Sequence, residues 1–564
     1  MQLPTRCLIT LLVLLTLAAT GCGGGGGGSG STGSGGGNGD SGDSAGDDDD
    51  NDSTAAVSVA EAFQLLNQAS FGPTEASVAR VLDIGIEGWI DEQLQQPASL
   101  QLPYLLTFPE DADSVELQTD RVDVWYRNAL HGEDQLRQRV AFALSQIMVV
   151  SQQGVLVNGV YALADYYDML AEDAFGNYRD LIEDVTLHPA MGVYLSMLGN
   201  EKPDSARNIR PDENYARELM QLFSIGLVEL NSDGSQKVDA MGLPVPTYDQ
   251  SVIEGFSHVY TGWNWAGAPS FQFARPTIEN QALPMQLYPD FHDTGSKKLL
   301  NGVVLPPGQS GEEDLSAALD NVFNHPNVGP FIAIRLIQRL VTSNPSPAYV
   351  ARVAGVFDND GSGVRGNLGA VVKAILMDPE ARGSAPSQTG GKLKEPILRV
   401  TQLWRVYDAQ SSVGGYPLVE SFILFGQGPL QSPSVFNFFS PFYAPAGEIR
   451  DAGLVAPELQ IATEYQNTLF TNLMLLQTFS FNQASDSLRP EDIFIDISEE
   501  MSLVDDIDAL IDRVAGKLLG GEISAALRQE LTGMLEILPS EPAEFRAAEA
   551  IYFIASSPEY AYQR

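Results

Sequence analysis

The sequence predicts a mainly α protein, a multi-helical globular chain with long irregular loop insertions. Three observations carry this. From Val57 onward, apolar residues recur at helical spacing through most segments. Alternating strand patterns are rare. Pro and Gly gather in a few long stretches, chiefly 231–311 and 426–457, instead of marking short strands at regular intervals. No internal repeat at a solenoid period is present.

The elements follow in order. An amphipathic stretch begins at Glu61–Leu66 and stops at Phe71-Gly72-Pro73-Thr74, where Thr74 suits the N-cap of a helix over 75–82. Residues 122–150 keep helical spacing, with Gln135, Arg137, Gln138 and Arg139 as a polar face. Two helices over 165–174 and 178–186 flank the turn Phe175-Gly176-Asn177. Residues 214–225 predict a clear helix closed by Gly226. The stretch 231–311 is too long for structureless filler inside a compact domain and predicts a functional or irregularly folded insertion. Helices resume over 316–323, 331–341, 348–357, 368–377, 396–407 and 458–476. The end reads as a small helical unit: Val504, Ile507, Ile511, Val514 and Leu518 mark one face up to Gly520-Gly521, and a last helix covers 547–555.

The N-terminus speaks for export. Arg6 precedes an apolar run from Leu8 to Ala19, too short to span a bilayer, which takes about 20 residues. The run ends in Ala19-Thr20-Gly21-Cys22, which resembles the lipobox of bacterial lipoproteins and marks Cys22 for lipidation. Gly23 after the cysteine resembles the outer-membrane sorting pattern of Gram-negative bacteria. A Gly/Ser/Asp-rich tether over 22–56 follows and has nothing with which to bury a core. The organisation expected is a signal peptide over 1–21, the tether, a main helical domain over 57–480 and a C-terminal helical subdomain over 481–564.

Cys7 and Cys22 are the only cysteines, so the processed chain has no disulfide. Asp and Glu number 73 against 32 Lys and Arg, a net charge of -41. That balance excludes nucleic acid and anionic lipid headgroups as main partners. Contact with a membrane is expected only through the anchor at Cys22.

Several segments together resemble the bacterial family called domain of unknown function 1800. They are Leu65–Thr74, Asn214–Phe223 with Ile225-Gly226, Tyr260-Thr261-Gly262-Trp263, and His292-Asp293-Thr294-Gly295 with Lys297 and Leu299-Leu300. Later ones are Lys394-Glu395-Pro396, Ser434–Phe438 and Ser557-Pro558-Glu559-Tyr560. The resemblance implies a mostly helical exported protein of unestablished activity. It also implies a genomic neighbour of a second exported family, domain of unknown function 1501, which looks like alkaline-phosphatase-type enzymes. One departure stands out: where the family commonly has Asp-Val, this chain has Ser251-Val252, with Asp249 two residues earlier.

Candidate chemistry centres on five histidines: His131, His188, His258, His292 and His325. No HExxH, CxxC pair, Walker loop or Gly-x-Ser-x-Gly elbow is present. His292 adjoins Asp293, with Lys297 nearby. The pair is expected either to ligate a metal together, or to work as a base oriented by its carboxylate, or to form an ordinary turn. Together with Glu218 it makes the candidate catalytic set, and the His292 loop is expected to approach the helix carrying Glu218. Glu213 and Arg217, four apart, can pair on one face, with Asn214 and Glu218 as a second stripe. These four open either a binding site or a buried packing network. His258, Trp263 and Trp265 are either an exposed stacking surface or core. Asp358–Gly363 hints at a calcium loop but lacks the EF-hand glutamate, Gly369 standing in its place, so a solvated turn is expected. The residues identify no cofactor and no metal.

Three functions remain open on this reading. One is a cell-surface lipoprotein that assists processing or display of an extracellular polymer with a partner of the 1501 type. A second is a hydrolase-like or metal-dependent envelope enzyme. The third is a structural envelope protein without ligand.

Overall fold

Ser58 opens the first helix, Val59–Ala69, with a reciprocal cap: its Oγ accepts from Glu61 N at 3.2 Å, and the Glu61 carboxylate accepts from Ser58 N at 2.8 Å. The computed structural model describes residues 56–383, 390–416, 418, 421–481, 492–538 and 541–564. The expected signal segment, Cys22 and the expected tether (save Ala56) lie outside the described residues. Helices make up 55% of the structure and strands 5%, so the protein is mainly α. Residues Val57–Arg564 form one compact unit. Among the described residues, no helix is long and apolar enough to cross a membrane.

Thr74 caps the second helix, which runs further than its sequence pattern suggests, Glu75–Leu94, and bends at Gly85 where φ is +79°. The 122–150 segment is two helices, Ser114–His131 and Gln135–Ser145, broken at Gly132. The polar face expected on the second of these is largely buried. Gln135 Nε2 donates to the carbonyls of Ala129 and Gly132 at the preceding helix end, at 3.1 and 2.8 Å. Gln138 Nε2 donates to Ser99 O at 2.9 Å, and Arg139 Nη2 to Arg339 O at 2.7 Å. Polar side chains that satisfy buried carbonyls belong inside, and a periodicity argument cannot foresee that. Around them lie Phe71, Trp125 and Phe142, with Phe71–Trp125 rings 5.3 Å apart edge to face.

A fully buried ionic cluster lies beside Arg139. Lys392 sits 3.0 Å from Glu458, and Gln146 Nε2 donates to Glu395 at 2.8 Å. Burial pushes the Glu395 carboxyl up, but Lys392, Arg339 and Arg139 together hold it below its usual range. Lys392-Leu393 also pairs antiparallel with Tyr562-Gln563, which stitches the chain's end to its middle.

The C-terminal region contains Ile507–Leu519, Ala525–Ile537 and Ala543–Ala555. The middle one was not foreseen from the apolar spacing. Gly520 closes the first in the left-handed conformation, φ +67°.

The expected helix over 214–225 departs from α geometry. Asn214–Glu218 is α-helical, and Leu219–Ser224 is a π-helix. Ser224 Oγ donates to Leu219 O at 2.6 Å, and Gly226, φ +73°, ends the segment with its N–H on Met220 O at 2.9 Å. The 231–311 insertion is folded. It holds the helix Gln250–Val259 and two small antiparallel pairs, Trp263-Asn264 with Gln286-Leu287 and Lys297-Lys298 with Val304-Leu305.

Candidate functional site

Asp249 caps the helix Gln250–Val259 by accepting from Val252 N at 3.1 Å. Lys298 Nζ reaches Asp249 at 3.0 Å and Ser251 Oγ at 2.6 Å. Asp249 and Ser251, where the sequence departs from the family pattern, thus anchor the helix start to the Lys297-Lys298 strand. The approach is close: a Cβ on Gly255 would fall 1.8 Å from Lys298 O, so only glycine fits that helix position.

His258 lies in the last turn of this helix, and Thr261 follows at the centre of the site. Thr261 Oγ1 donates to His258 O at 2.8 Å and accepts from Asp293 N at 2.9 Å. Its carbonyl accepts from His292 Nδ1, also at 2.9 Å. Gly262, φ +88°, brings the chain past His292 at a distance where a Cβ would sit 2.9 Å from His292 N.

His292 and Asp293, adjacent in sequence, turn to different partners. His292 Nε2 lies 3.0 Å from Asp314 Oδ2, and Lys297 Nζ is 2.6 Å from the same oxygen. All three side chains are essentially buried. Lys297 also donates to the carbonyls of Asp293 and Gly295. Asp293 instead accepts from His258 Nδ1 and from Gly295 N, the latter at 2.7 Å. The ring that the Asp293 carboxylate orients is that of His258, not that of the adjacent His292. Loop residues one apart point to opposite sides, which separates the two. The His258 hydrogen bond first, with Gly295 N–H and the charges of His258 and Lys297, holds the Asp293 carboxyl at about 2. Since the carboxylate only accepts, His258 Nδ1 carries the hydrogen of this bond. The His258 side chain is 31% exposed.

The other predicted residues fall apart from this pair. Trp263 and Trp265 are 4% and 8% exposed and pack as core, so neither offers an open ring face for a sugar. Lys297 is committed to Asp314. Arg217 pairs with Glu213 at 3.0 Å, as the spacing predicts, but both side chains stay partly exposed instead of forming a buried network. Gln250 Nε2 also donates to Glu213, at 2.9 Å. Asn214 is exposed.

Glu218 is buried, and its Oε2 has no hydrogen-bond partner among the described residues. Burial raises the Glu218 carboxyl above its usual range, against the pull of Arg217. The Tyr248 hydroxyl, coupled to it electrostatically, is pushed by burial up to about 12. No hydrogen bond or ion pair joins Glu218 to His258, His292 or Asp293 among the described residues. The helix Gln250–Val259 packs against both the Glu218 helix and the Lys297-Lys298 strand, and is their shared neighbour.

Asp314 was not legible as a site residue. It stands in the first turn of Gly311–Phe323, where an acidic residue reads simply as a helix start. Among the described residues, no three His, Cys, Asp or Glu side chains are grouped so as to hold a metal ion. The Asp358–Gly363 segment is an exposed turn in which Asp360 accepts from Ser362 N at 2.9 Å and Val364 N at 3.1 Å. A separate open groove of about 610 Å³ includes His131, Arg127 and Tyr416 in its lining. Tyr416 donates to Ala409 O at 2.7 Å and so accepts from His131 Nε2, 2.7 Å away. Of the five candidate histidines it takes in His131, while His258, His292, Asp293 and Glu218 lie outside its lining.

Fold and site together define a mainly α protein whose folded insertion carries a partly exposed His–Asp pair over a buried ionic floor. The chain belongs to the family described as protein of unknown function DUF1800, whose model matches residues 64–562. No curated protein and no solved structure matches it.

Proposed function

We propose that this protein is a lipid-anchored surface protein that acts on an extracellular polymer, and that the His258–Asp293 pair is its proton-transfer group. The observation that carries the reading is the pairing itself. Asp293 pins one ring nitrogen of a partly exposed histidine and leaves the other as a base, on a support made rigid by Thr261 and the Asp314 cluster. Signal segment, Cys22 and tether set the location in this reading, at the outer membrane. Main domain and C-terminal subdomain, 57–480 and 481–564, work as one body. An exported protein of the domain of unknown function 1501 type is the proposed partner.

The test uses the mature chain with extracellular polymer from its own source, with and without that partner. Release of smaller fragments or new chain ends should occur, and His258→Gln and Asp293→Asn should each lower it at least about tenfold, as loss of a general base does. Unchanged turnover in both variants rejects the pair as the working group.

A structural envelope role is the second reading. It is favoured by the burial of His292, Lys297 and Trp263, three predicted site residues that serve packing. Absence of any polymer change with wild-type protein and partner supports it.

A further inference from the structure

A cavity of about 250 Å³ lies between the first helix, Val59–Ala69, and the C-terminal segment, far in sequence from the His258 insertion. Its lining includes Phe63, Leu518, Glu522, Glu559, Arg564 and Lys394. Two motif segments that the His–Asp site leaves unused, Lys394-Glu395-Pro396 and Ser557–Tyr560, meet here.

Lys394 stands apart from the other lysines. The chain has eight: Lys202, Lys237, Lys297, Lys298, Lys373, Lys392, Lys394 and Lys517. Six of these pair with carboxylates: Lys237, Lys297, Lys298, Lys373, Lys392 and Lys517. Lys202 is exposed. Lys394 is 4% exposed, and among the described residues no carboxylate pairs with it. Its Nζ donates to the neutral Gln402 Oε1 at 2.6 Å and lies 4.2 Å from the centre of the Tyr560 ring. The two acidic side chains on the cavity wall are already engaged: Glu522 with Arg564, and Glu559 with Ser524 N at 3.1 Å and the Ser524 hydroxyl. A buried ammonium without a counter-charge is costly, and a lysine retained so beside a cavity is the arrangement that suits amine chemistry.

We propose that Lys394 is a carbonyl-capturing amine, and that the cavity admits a small aldehyde or ketone which it binds as an imine. The Nζ lone pair adds to the carbonyl carbon. The carbonyl oxygen then leaves as water with the two amine hydrogens, and a C=N bond replaces C=O. No oxidant or reductant takes part, and water reverses the step. Burial, with the Arg399 cation beside it, pushes the Lys394 ammonium well below the usual lysine range, which favours the nucleophilic neutral form.

The experiment treats the mature chain at pH 7 with glyceraldehyde and cyanoborohydride, which reduces an imine to a stable amine, and maps the mass additions by peptide. Exposed Lys202 is the internal reference. Lys394 should label roughly tenfold or more faster than Lys202, since each unit by which an amine pKa falls raises its neutral fraction about tenfold. Free pyruvate should compete, and Lys394→Arg should remove that label while keeping the charge over Tyr560. Labelling of Lys394 at or below the Lys202 rate in the wild-type chain overturns the proposal and returns the residue to a packing role. The wild-type map decides this even if the variant does not fold.

Discussion

Lys297 Nζ lies 2.6 Å from Asp314 Oδ2, and neither side chain is more than 1% exposed. His292 shares that oxygen, so one carboxylate holds two groups from the loop 292–297 on the helix Gly311–Phe323. Removing a partner from such a pair strands a charge in a dry interior. Asp314→Ala should destabilise the fold by about 3–5 kcal/mol, read by urea unfolding of the processed chain. Replacing Lys297 and Asp314 together by Met and Leu should recover part of that loss. A cost below about 1 kcal/mol for Asp314→Ala would mean that the pair is hydrated.

Asp293 gives a pH dependence with a definite sign. Its folded carboxyl, at about 2, lies below the ordinary 3.8, so the folded state favours the ionised form. The stability it contributes is present above the ordinary value and is lost as pH falls from 3.8 towards 2. Asp293→Asn should therefore flatten the acid limb of the stability curve across that window and leave its slope above pH 5 unchanged. Identical acid limbs in the two proteins would contradict the His258–Asp293 pairing.

Gly255→Ala tests the contact between the helix Gln250–Val259 and the Lys297-Lys298 strand. Alanine favours helices intrinsically by about 1 kcal/mol over glycine. Here its methyl would meet Lys298 O at 1.8 Å, and backbone must shift to admit it. The contact should win, with a net loss of about 1–3 kcal/mol. A raised melting temperature would show that the strand is free to move away.

Cys22 lies outside the described residues and is testable from sequence alone. A fatty-acid probe should label the protein in cells, and Cys22→Ser should abolish the label. The body from Val57 onward contains no cysteine, so a reductant should leave its melting temperature unchanged. Residual labelling of Cys22→Ser would place the lipid elsewhere.

Much of the helical framework was legible. The segment Leu368–Met377 matches its expected bounds, and Thr74 and Gly520 cap where their chemistry suggests. These depend on hydrogen bonds and side-chain faces within a few residues. The π-helical turn at Leu219–Ser224 was not legible, because its apolar spacing also fits an α-helix. Glu213 and Arg217 pair as their four-residue spacing requires, yet their partial exposure follows from neighbours that spacing does not name.

Local pattern was therefore enough for the mainly α class, and composition alone for a body from Val57 onward without cysteine. The choice of partners belongs to the fold. His258 meets Asp293 across 35 positions and His292 meets Asp314 across 22, while Lys394 is left without a carboxylate among the described residues although Glu395 adjoins it. Ionic and hydrogen-bond energies depend on distance and burial in space. Chain separation enters only as the entropy of bringing the groups together, and packing of the surrounding helices covers that cost.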